Sequence, residues 1–239
     1  MNGTILNACA ILGFGLLALL TRKQLAAKVQ IWVKLVLGAG LVVCGLRLVW
    51  VSVSGPLPLF CKQMAIVLAA LILGRLTGRA LRLQKLSNRL GHYARVRLEQ
   101  AGREAPGRSG EGFKVCAALF CAAPLAVLGS LQDGLSGYTY PLVIKASMDG
   151  LATMSFVSTF GLGAVGAAVP VLAWQGTIAL LAHAAAPWLE QQGLLNSVNA
   201  TGGFLVSFVS LLIFEVVKLE IANYLPALLW APLLTWLWR

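Results

Sequence analysis

Residues 129–163 read GSLQDGLSGYTYPLVIKASMDGLATMSFVSTFGLG. It contains the only two aspartates of the sequence, Asp133 and Asp149, and each is followed by a glycine. The sequence on both sides is almost continuously apolar. An ionised carboxylate inside a bilayer costs about 2.5–3.5 kcal/mol on insertion scales, so an acidic residue at membrane depth indicates a function. The two aspartates are therefore the first candidates for a functional site.

The composition is that of a membrane protein. Of the 239 residues, 59% are hydrophobic and 11% are charged, and the mean hydropathy is +0.82. A soluble domain has about 25% charged residues, so this chain cannot cover a water-facing surface. We predict an all-α, polytopic integral membrane protein whose single transmembrane domain covers residues 1–239. The five cysteines have no metal-ligand spacing, and neither a metal nor another cofactor is expected.

Apolar runs predict about eight transmembrane helices, since a bilayer core of ~30 Å needs roughly 17–25 helical residues. The predicted spans are 4–20, 35–53, 63–78, 113–131, 140–160, 164–187, 202–217 and 221–238. Between them lie a basic connector (21–34), a basic helix and loop (79–112) and two connectors with few charges (132–139 and 188–201).

Residues 79–100 alternate apolar and basic positions with the period of a helix. Leu83, Leu86, Leu90 and Tyr93 fall on one face, and basic residues fill much of the rest. One interpretation is a helix on an anionic leaflet; the other is a solvated connector that only fixes topology. The residues predicted to contact lipid are Arg79, Arg82, Lys85 and Arg89.

The basic residues also predict the orientation of the chain. The net charge of +11 is concentrated in the connectors 21–34 and 79–112, which lie on one side of the membrane if the first four spans are real. The positive-inside rule makes that side cytoplasmic and places both termini outside. Because topology explains these charges, no nucleic-acid partner is expected.

Two short similarities suggest an inverted repeat. Residues 3–5 and 176–178 both read GTI, and AGLVV at 39–43 resembles GGFLV at 202–206. Spans 1–3 would then correspond to spans 6–8 in opposite orientation, on either side of the two central helices. Inverted repeats are typical of secondary transporters, which bind their substrates between the repeats.

Asp149 lies about nine residues into the fifth span, or ~13 Å at 1.5 Å per residue, near the middle of the bilayer. Lys145, Asp149 and Thr153 share one helix face. They line a polar pathway, or Lys145 and Asp149 form a structural ion pair. Gln132 and Asp133 mark either a re-entrant turn or an ordinary interfacial turn. Further candidates for the pathway, each with an interhelical hydrogen bond as the alternative, are Gln175, Asn7 and Asn223.

An enzyme is not expected. The aspartates occur as QDG and MDG and lack the GxGD signature of intramembrane aspartyl proteases, and the sequence contains no HExxH, nucleophile elbow or phosphate loop.

Several blocks resemble one known family. SLQDGLSG (130–137), KASMDGLATMSFVSTFGLG (145–163), WQGTI (174–178), NYLPALLWAPL (223–233) and the N-terminal GTILNACAI are similar to the YqgA/YdfK-like bacterial inner-membrane proteins, the domain of unknown function 554 family. The resemblance covers essentially the whole chain. It implies a multi-pass protein of seven or eight spans in the bacterial inner membrane, and it implies no particular activity.

Polar groups at membrane depth favour a small secondary transporter or channel-like protein, expected to be a homodimer. Its cargo would be a cation or small solute, with proton coupling through Asp149 and Asp133. The alternative is a non-transporting scaffold or regulator that uses the basic helix to bind anionic lipid or a cytoplasmic partner.

The orientation can be tested with reporter fusions. A reporter fused after Arg239 should report the outside, and one inserted within residues 101–110 should report the cytoplasm, because the positive-inside rule fixes both positions. A cytoplasmic C-terminus would mean that one span is miscounted.

Overall fold

The computed structural model describes residues 1–21, 27–53, 55–101, 109–217 and 219–238. These residues form eleven α-helices and one 3-10 helix. The helices are α1 (Asn2–Thr21), α2 (Ala27–Ser52), α3 (Leu57–Ala80), α4 (Leu83–Ala101), α5 (Ser109–Ala122), α6 (Pro124–Ser136), α7 (Tyr140–Phe160), α8 (Gly163–Gly166), α9 (Ala168–Gln191), α10 (Leu195–Ile213), the 3-10 helix Ile221–Tyr224 and α11 (Ala227–Leu237).

The described chain is helical and apolar, which confirms the predicted fold class. Five helical segments are long and apolar enough to cross a membrane: α1, α2, α3, the run Gly163–Gln191 and α10. A sixth is added if α5 and α6 count as one bent span. The segment Ile221–Leu237 is a shorter apolar helix. Helix α7 is 21 residues long but carries a lysine and an aspartate and is not among the five. The count of eight spans stays a prediction.

The predicted fourth span is two helices that meet at a sharp bend. Helices α5 and α6 differ in direction by 60° across Ala123. Ala123 is extended, with φ −61° and ψ 128°, because the ring of Pro124 disfavours helical backbone at the preceding residue. Pro124 also has no N–H to donate to the preceding helical turn. The proline inside the predicted span therefore breaks it.

Two predicted boundaries near basic residues are wrong. Helix α2 begins at Ala27, so Lys28 and Lys34 are helical and do not belong to a connector. The basic helix does not begin at residue 79, because α3 continues to Ala80 and a turn at Leu81 and Arg82 separates it from α4. Arg82 has the left-handed φ of 56° in this turn. The predicted connector residues 22–26 and loop residues 102–108 lie outside the described residues.

The two predicted charge-poor connectors are mostly helical. Helix α6 includes residues 132–136, so Gln132 and Asp133 are helical and do not lie in a turn; the chain turns at Gly137, which has a φ of 66°. Helix α9 continues to Gln191 and α10 begins at Leu195. Part of the polar residues of these segments are buried, namely Gln132, Asp133, Ser197, Asn199 and Thr201, whereas Glu190, Gln191 and Asn196 are exposed. A mixed polar segment at a helix end is easily predicted as a connector from sequence.

The helices pack around two apolar clusters. One is built mainly from α2, α3, α6, α10 and α11, with Leu128 and Leu205 fully buried. The other is built from α1, α5, α7, α8 and α9, with Ile11 and Phe120 among its buried residues. The outer surface is also apolar: Leu20, for example, is 84% exposed. Apolar residues on both the inside and the outside are expected for a bundle surrounded by lipid.

The helices predicted to be repeat equivalents are neighbours in the structure. Helix α1 contacts α9, α2 contacts α10, and α3 contacts α11. Helices α2 and α10 are in close backbone contact at Gly45 and Gly203, where a Cβ on Gly45 would lie 2.5 Å from the carbonyl oxygen of Gly203. Small residues permit such backbone contact between membrane helices. The inverted repeat itself stays a prediction.

We predict that Gly45→Ala destabilises the protein by about 1–3 kcal/mol, because the added methyl group collides with backbone atoms that cannot move independently. Gly13→Ala is the matched control: it also adds a methyl group within a helix, but its Cβ meets no atom within 4 Å. Thermal unfolding of the purified variants in detergent measures the difference. Equal midpoints for the two variants would show that α2 and α10 do not cross at Gly45.

Candidate functional site

An almost fully buried ion pair lies inside the bundle. Lys145 and Asp149 are one turn apart on α7, and the Lys145 ammonium contacts Oδ2 of Asp149. Asn7 of α1 donates from Nδ2 to the same oxygen at 3.1 Å. The Asn7 Nδ2 group also donates to Oε1 of Gln175 on α9, again at 3.1 Å. The structure thus joins four sequence-predicted candidates from three helices in one hydrogen-bonded cluster.

The burial of this cluster makes the pairing necessary. Lys145 is 2% exposed and Asp149 is 8% exposed, while Asn7 and Gln175 are fully buried. Removing a charge from water costs several kcal/mol, which is offset only by an opposite charge and further hydrogen bonds. Asn7 supplies such a bond to Asp149. The remaining atoms of the two amides, Oδ1 of Asn7 and Nε2 of Gln175, are buried and have no hydrogen-bond partner within the described part of the chain.

The ion pair lies beside the bend between α5 and α6. The Lys145 ammonium is 5.8 Å from the centroid of the Phe120 ring, and Phe120 belongs to the last turn of α5. Because Pro124 has no N–H, the helical hydrogen bond to the carbonyl of Phe120 cannot form. The C-terminal end of a helix carries partial negative charge, which favours a cation nearby. Thr153, the third residue on this face, donates its hydroxyl to the Asp149 carbonyl at 2.7 Å and does not reach the carboxylate.

Asp133 has separate partners at the start of α1. Its carboxylate is fully buried and accepts a hydrogen bond from the backbone N–H of Thr4 at 3.2 Å. The Thr4 hydroxyl is 3.4 Å from the same oxygen, and the Met1 amino group is 3.1 Å from the other. Asp133 therefore caps α1 from another helix, satisfying a backbone donor that has no partner inside α1.

Gln132 is a buried amide whose side chain is unpaired. It is fully buried, and among the described residues neither its Oε1 nor its Nε2 has a hydrogen-bond partner. It lies against α10 at Gly202, where an added Cβ would be 2.1 Å from Nε2. Asn199, one turn before Gly202, is also buried, with its Oδ1 unpaired in the described structure. Asn199 was not predicted as a site residue, because the connector predicted at 188–201 includes it. Residues 191–201 contain no charged residue, and this was the signal that the segment could be buried.

Asn223 does not join these residues. Its side-chain Oδ1 accepts the backbone N–H of Gln84 at 3.0 Å, and the Gln84 side chain accepts the backbone N–H of Ala222 at 3.1 Å. Asn223 also donates to Glu220 at 2.8 Å. These bonds fasten the first turn of α4 to the 3-10 helix. Asn223 therefore links the start of α4 to the 3-10 helix.

Helix α4 leaves its predicted apolar face uncovered. Leu86 is 59% exposed, and Leu90 and Tyr93 are also exposed. The buried contact of α4 is instead at Ala94, which lies with Val115 and Phe160 in a small apolar cluster. The four residues predicted to contact lipid are also exposed. They lie at the end of α3, in the turn after it and on α4: Arg79, Arg82, Lys85 and Arg89.

The turn between α6 and α7 contains a further polar contact that the sequence analysis did not select. The hydroxyl of Tyr138 donates to the carbonyl oxygen of Cys44 on α2 at 2.8 Å. Partial burial raises the pKa of Tyr138 to about 12. The phenol therefore stays protonated near neutral pH and remains a hydrogen-bond donor that ties this turn to α2.

A helical bundle with an apolar outer surface and ionisable groups inside is a polytopic membrane protein. Within that class, the chain belongs to the family described as "Protein of unknown function (DUF554)", whose profile matches residues 2–236.

Two relatives are similar over nearly their whole length. The "Uncharacterized membrane protein YdfK" of Bacillus subtilis (strain 168) is 28% identical over 233 residues, which cover 97% of this chain and 94% of the relative. The "Uncharacterized protein YqgA" of Escherichia coli (strain K12) is 26% identical over 238 residues, covering 99% and 97% respectively. No solved structure matches this chain. The family resemblance predicted from the sequence is thereby confirmed.

We predict that Asp133→Ala lowers stability by about 1–3 kcal/mol, because it leaves the buried N–H of Thr4 without an acceptor. Asp133→Asn is the matched control, since its amide oxygen can still accept this bond. Thermal unfolding gives the size of the effect, and hydrogen exchange at the start of α1 gives its location. An Ala variant as stable and as protected as the Asn variant would contradict the capping role.

Proposed function

We propose that this protein is a small secondary transporter or channel-like protein for a cation or small polar solute, coupled to protons through Asp149. It acts by binding and movement and does no chemistry on its cargo. The observation that carries the proposal is the buried cluster of Lys145, Asp149, Asn7 and Gln175, which has unpaired amide atoms and lies beside a broken helix.

The unpaired amide atoms support an aqueous or ligand-binding interior. A buried donor or acceptor without a partner costs about 1–3 kcal/mol. Asn7, Gln132, Gln175 and Asn199 each have at least one such atom with no partner among the described residues. Water or a polar cargo would supply hydrogen-bond partners for these atoms. In a bundle stabilised only by packing, the same buried amides would add no stability.

The broken helix supports the same proposal. Secondary transporters bind ions and substrates near the bilayer midplane, where interrupted helices offer free backbone groups. The bend at Ala123 is adjacent to Phe120, whose ring is next to the Lys145 ammonium. A cation arriving at the cluster would compete with Lys145 for the Asp149 carboxylate. Protonation of Asp149 would release Lys145 in the same way, which couples proton binding to rearrangement of the site.

We place the protein in the bacterial inner membrane as a homodimer with eight spans, both termini outside and the inverted repeat of spans 1–3 and 6–8. Helix α7 would be a span whose polar residues are shielded by α1, which packs closely against it.

A second candidate function is supported by α4. Its exposed Leu86, Leu90 and Tyr93 lie beside exposed Lys85 and Arg89, as in a helix that docks on a surface. A non-transporting scaffold or regulator would use this helix to bind anionic lipid or a cytoplasmic partner. Such a protein would need no hydrated interior.

The test is solute and proton flux in proteoliposomes, with and without a pH gradient. In the transport proposal, water solvates Asp149 during the cycle, so Asp149→Asn should fold normally and lose pH-dependent flux. The double variant Asp149→Leu with Lys145→Leu should fold and be equally inactive. Glu215→Gln is a matched control, because Glu215 pairs with Lys34 at 2.7 Å on the exposed surface, away from the cluster.

A purely structural ion pair gives the opposite pattern. Asp149→Asn would then leave Lys145 buried without its partner, at a cost of about 3–5 kcal/mol, and folded protein would be lost. The double Leu variant would restore it, because no buried charge remains. A well-folded Asp149→Asn variant with the same flux as the parent would exclude the transport proposal.

A further inference from the structure

A groove runs along the lipid-facing side of α3. It has a volume of about 300 Å³ and lies between α3, α10 and the 3-10 helix. Its apolar wall includes Leu68 and Ile72, which are 55% and 62% exposed, and Phe208 of α10. An acyl chain lying against the bundle would contact such a wall.

The groove ends at two arginines one turn apart on α3, Arg75 and Arg79. The Arg75 guanidinium stacks on the ring of Tyr224 at 5.7 Å from the centroid, and no carboxylate pairs with it in the described ranges. A lipid-facing arginine near the end of a span extends towards the phosphate level of the bilayer. The Arg75 guanidinium therefore carries a positive charge that no acidic side chain of the described protein neutralises.

A second cavity begins where the groove ends. It has a volume of about 260 Å³, shares Arg79 with the groove, and is lined by polar residues that include Lys85, Asn88 and Glu220. Arg79 is 3.9 Å from Glu220, a long contact between partly exposed groups. Across the described residues of the two cavities, three cations (Arg75, Arg79 and Lys85) face one carboxylate. The excess positive charge favours an anionic occupant.

We propose that this pair of cavities binds one anionic phospholipid. An acyl chain lies along Leu68 and Ile72, the phosphate binds between Arg75 and Arg79, and the headgroup occupies the second cavity beside Lys85. The turn at Arg82 and the hydrogen bonds of Gln84 with Asn223 and Ala222 hold the start of α4 against the 3-10 helix and so form the headgroup cavity. This site is separate from the Asp149 cluster, and it stands or falls independently of the transport proposal.

The test is native mass spectrometry of the full-length protein in detergent, titrated with dioleoylphosphatidylglycerol or dioleoylphosphatidylcholine. Each cation near a lipid surface contributes roughly a fivefold gain in anionic-lipid binding. The double variant Arg75→Gln with Arg79→Gln should therefore bind phosphatidylglycerol about tenfold or more weakly. The Lys counterparts of the two substitutions should retain most of the binding.

Arg47→Gln is the matched control, because Arg47 also lies on an exposed helix face and stacks on a tyrosine, Tyr140, at 5.8 Å. It should bind phosphatidylglycerol as the parent does. Ile72→Trp, which fills the acyl-chain groove and keeps both arginines, should weaken binding of phosphatidylglycerol. The proposal is overturned if the double Gln variant and Arg47→Gln bind equally, or if phosphatidylcholine binds the parent as tightly as phosphatidylglycerol does.

Discussion

The buried ion pair of Lys145 and Asp149 is the constraint on which the rest of the structure depends. Two charges at 2% and 8% exposure need a partner where they lie, because burial removes most of the solvation they have in water. Their shared helix places the pair one turn apart, but the further donor comes from Asn7 on α1. Helix α1 must therefore pack directly on α7, and Gln175 of α9 must be close enough to hold the Asn7 amide.

A second constraint is that backbone groups in a membrane need partners within the protein. The free first turn of α1 receives the Asp133 carboxylate, and the first turn of α4 receives the Asn223 amide. Both residues attracted attention in the sequence as polar groups near spans. Each acts in the structure as a cap supplied by a distant segment, which explains a buried polar residue without invoking a cargo. The bend before Pro124 has no such cap from a side chain, and it lies beside the ion pair.

Charge is therefore arranged in two regions with different physical roles. Inside the bundle, Asp149 and Lys145 balance each other, and neutral amides surround them. At the end of α3, Arg75 and Arg79 face outward together with Lys85, and Glu220 is the one described carboxylate of these cavities, so positive charge is in excess. The first arrangement suits a small ion or proton that enters from water, and the second suits an anionic headgroup in the bilayer. The transport proposal and the lipid-binding proposal therefore depend on different residues, the first in contact with water and the second in contact with lipid.

The amino-acid sequence by itself determined the class of the protein, because composition and apolar runs depend only on local chemistry. It determined the extent of α7 and the pairing of Lys145 with Asp149, since both follow from helical spacing. It also identified Asn7 and Gln175 as polar residues, but only the tertiary structure decided that they meet at Asp149, since 142 and 168 residues separate the bonded pairs Asn7–Asp149 and Asn7–Gln175. The tertiary structure likewise decided that residues 195–200 form the start of α10 and that Asn199 is buried. A polar segment near a helix end is predicted to be a connector, because the sequence does not show which of its faces the neighbouring helices cover.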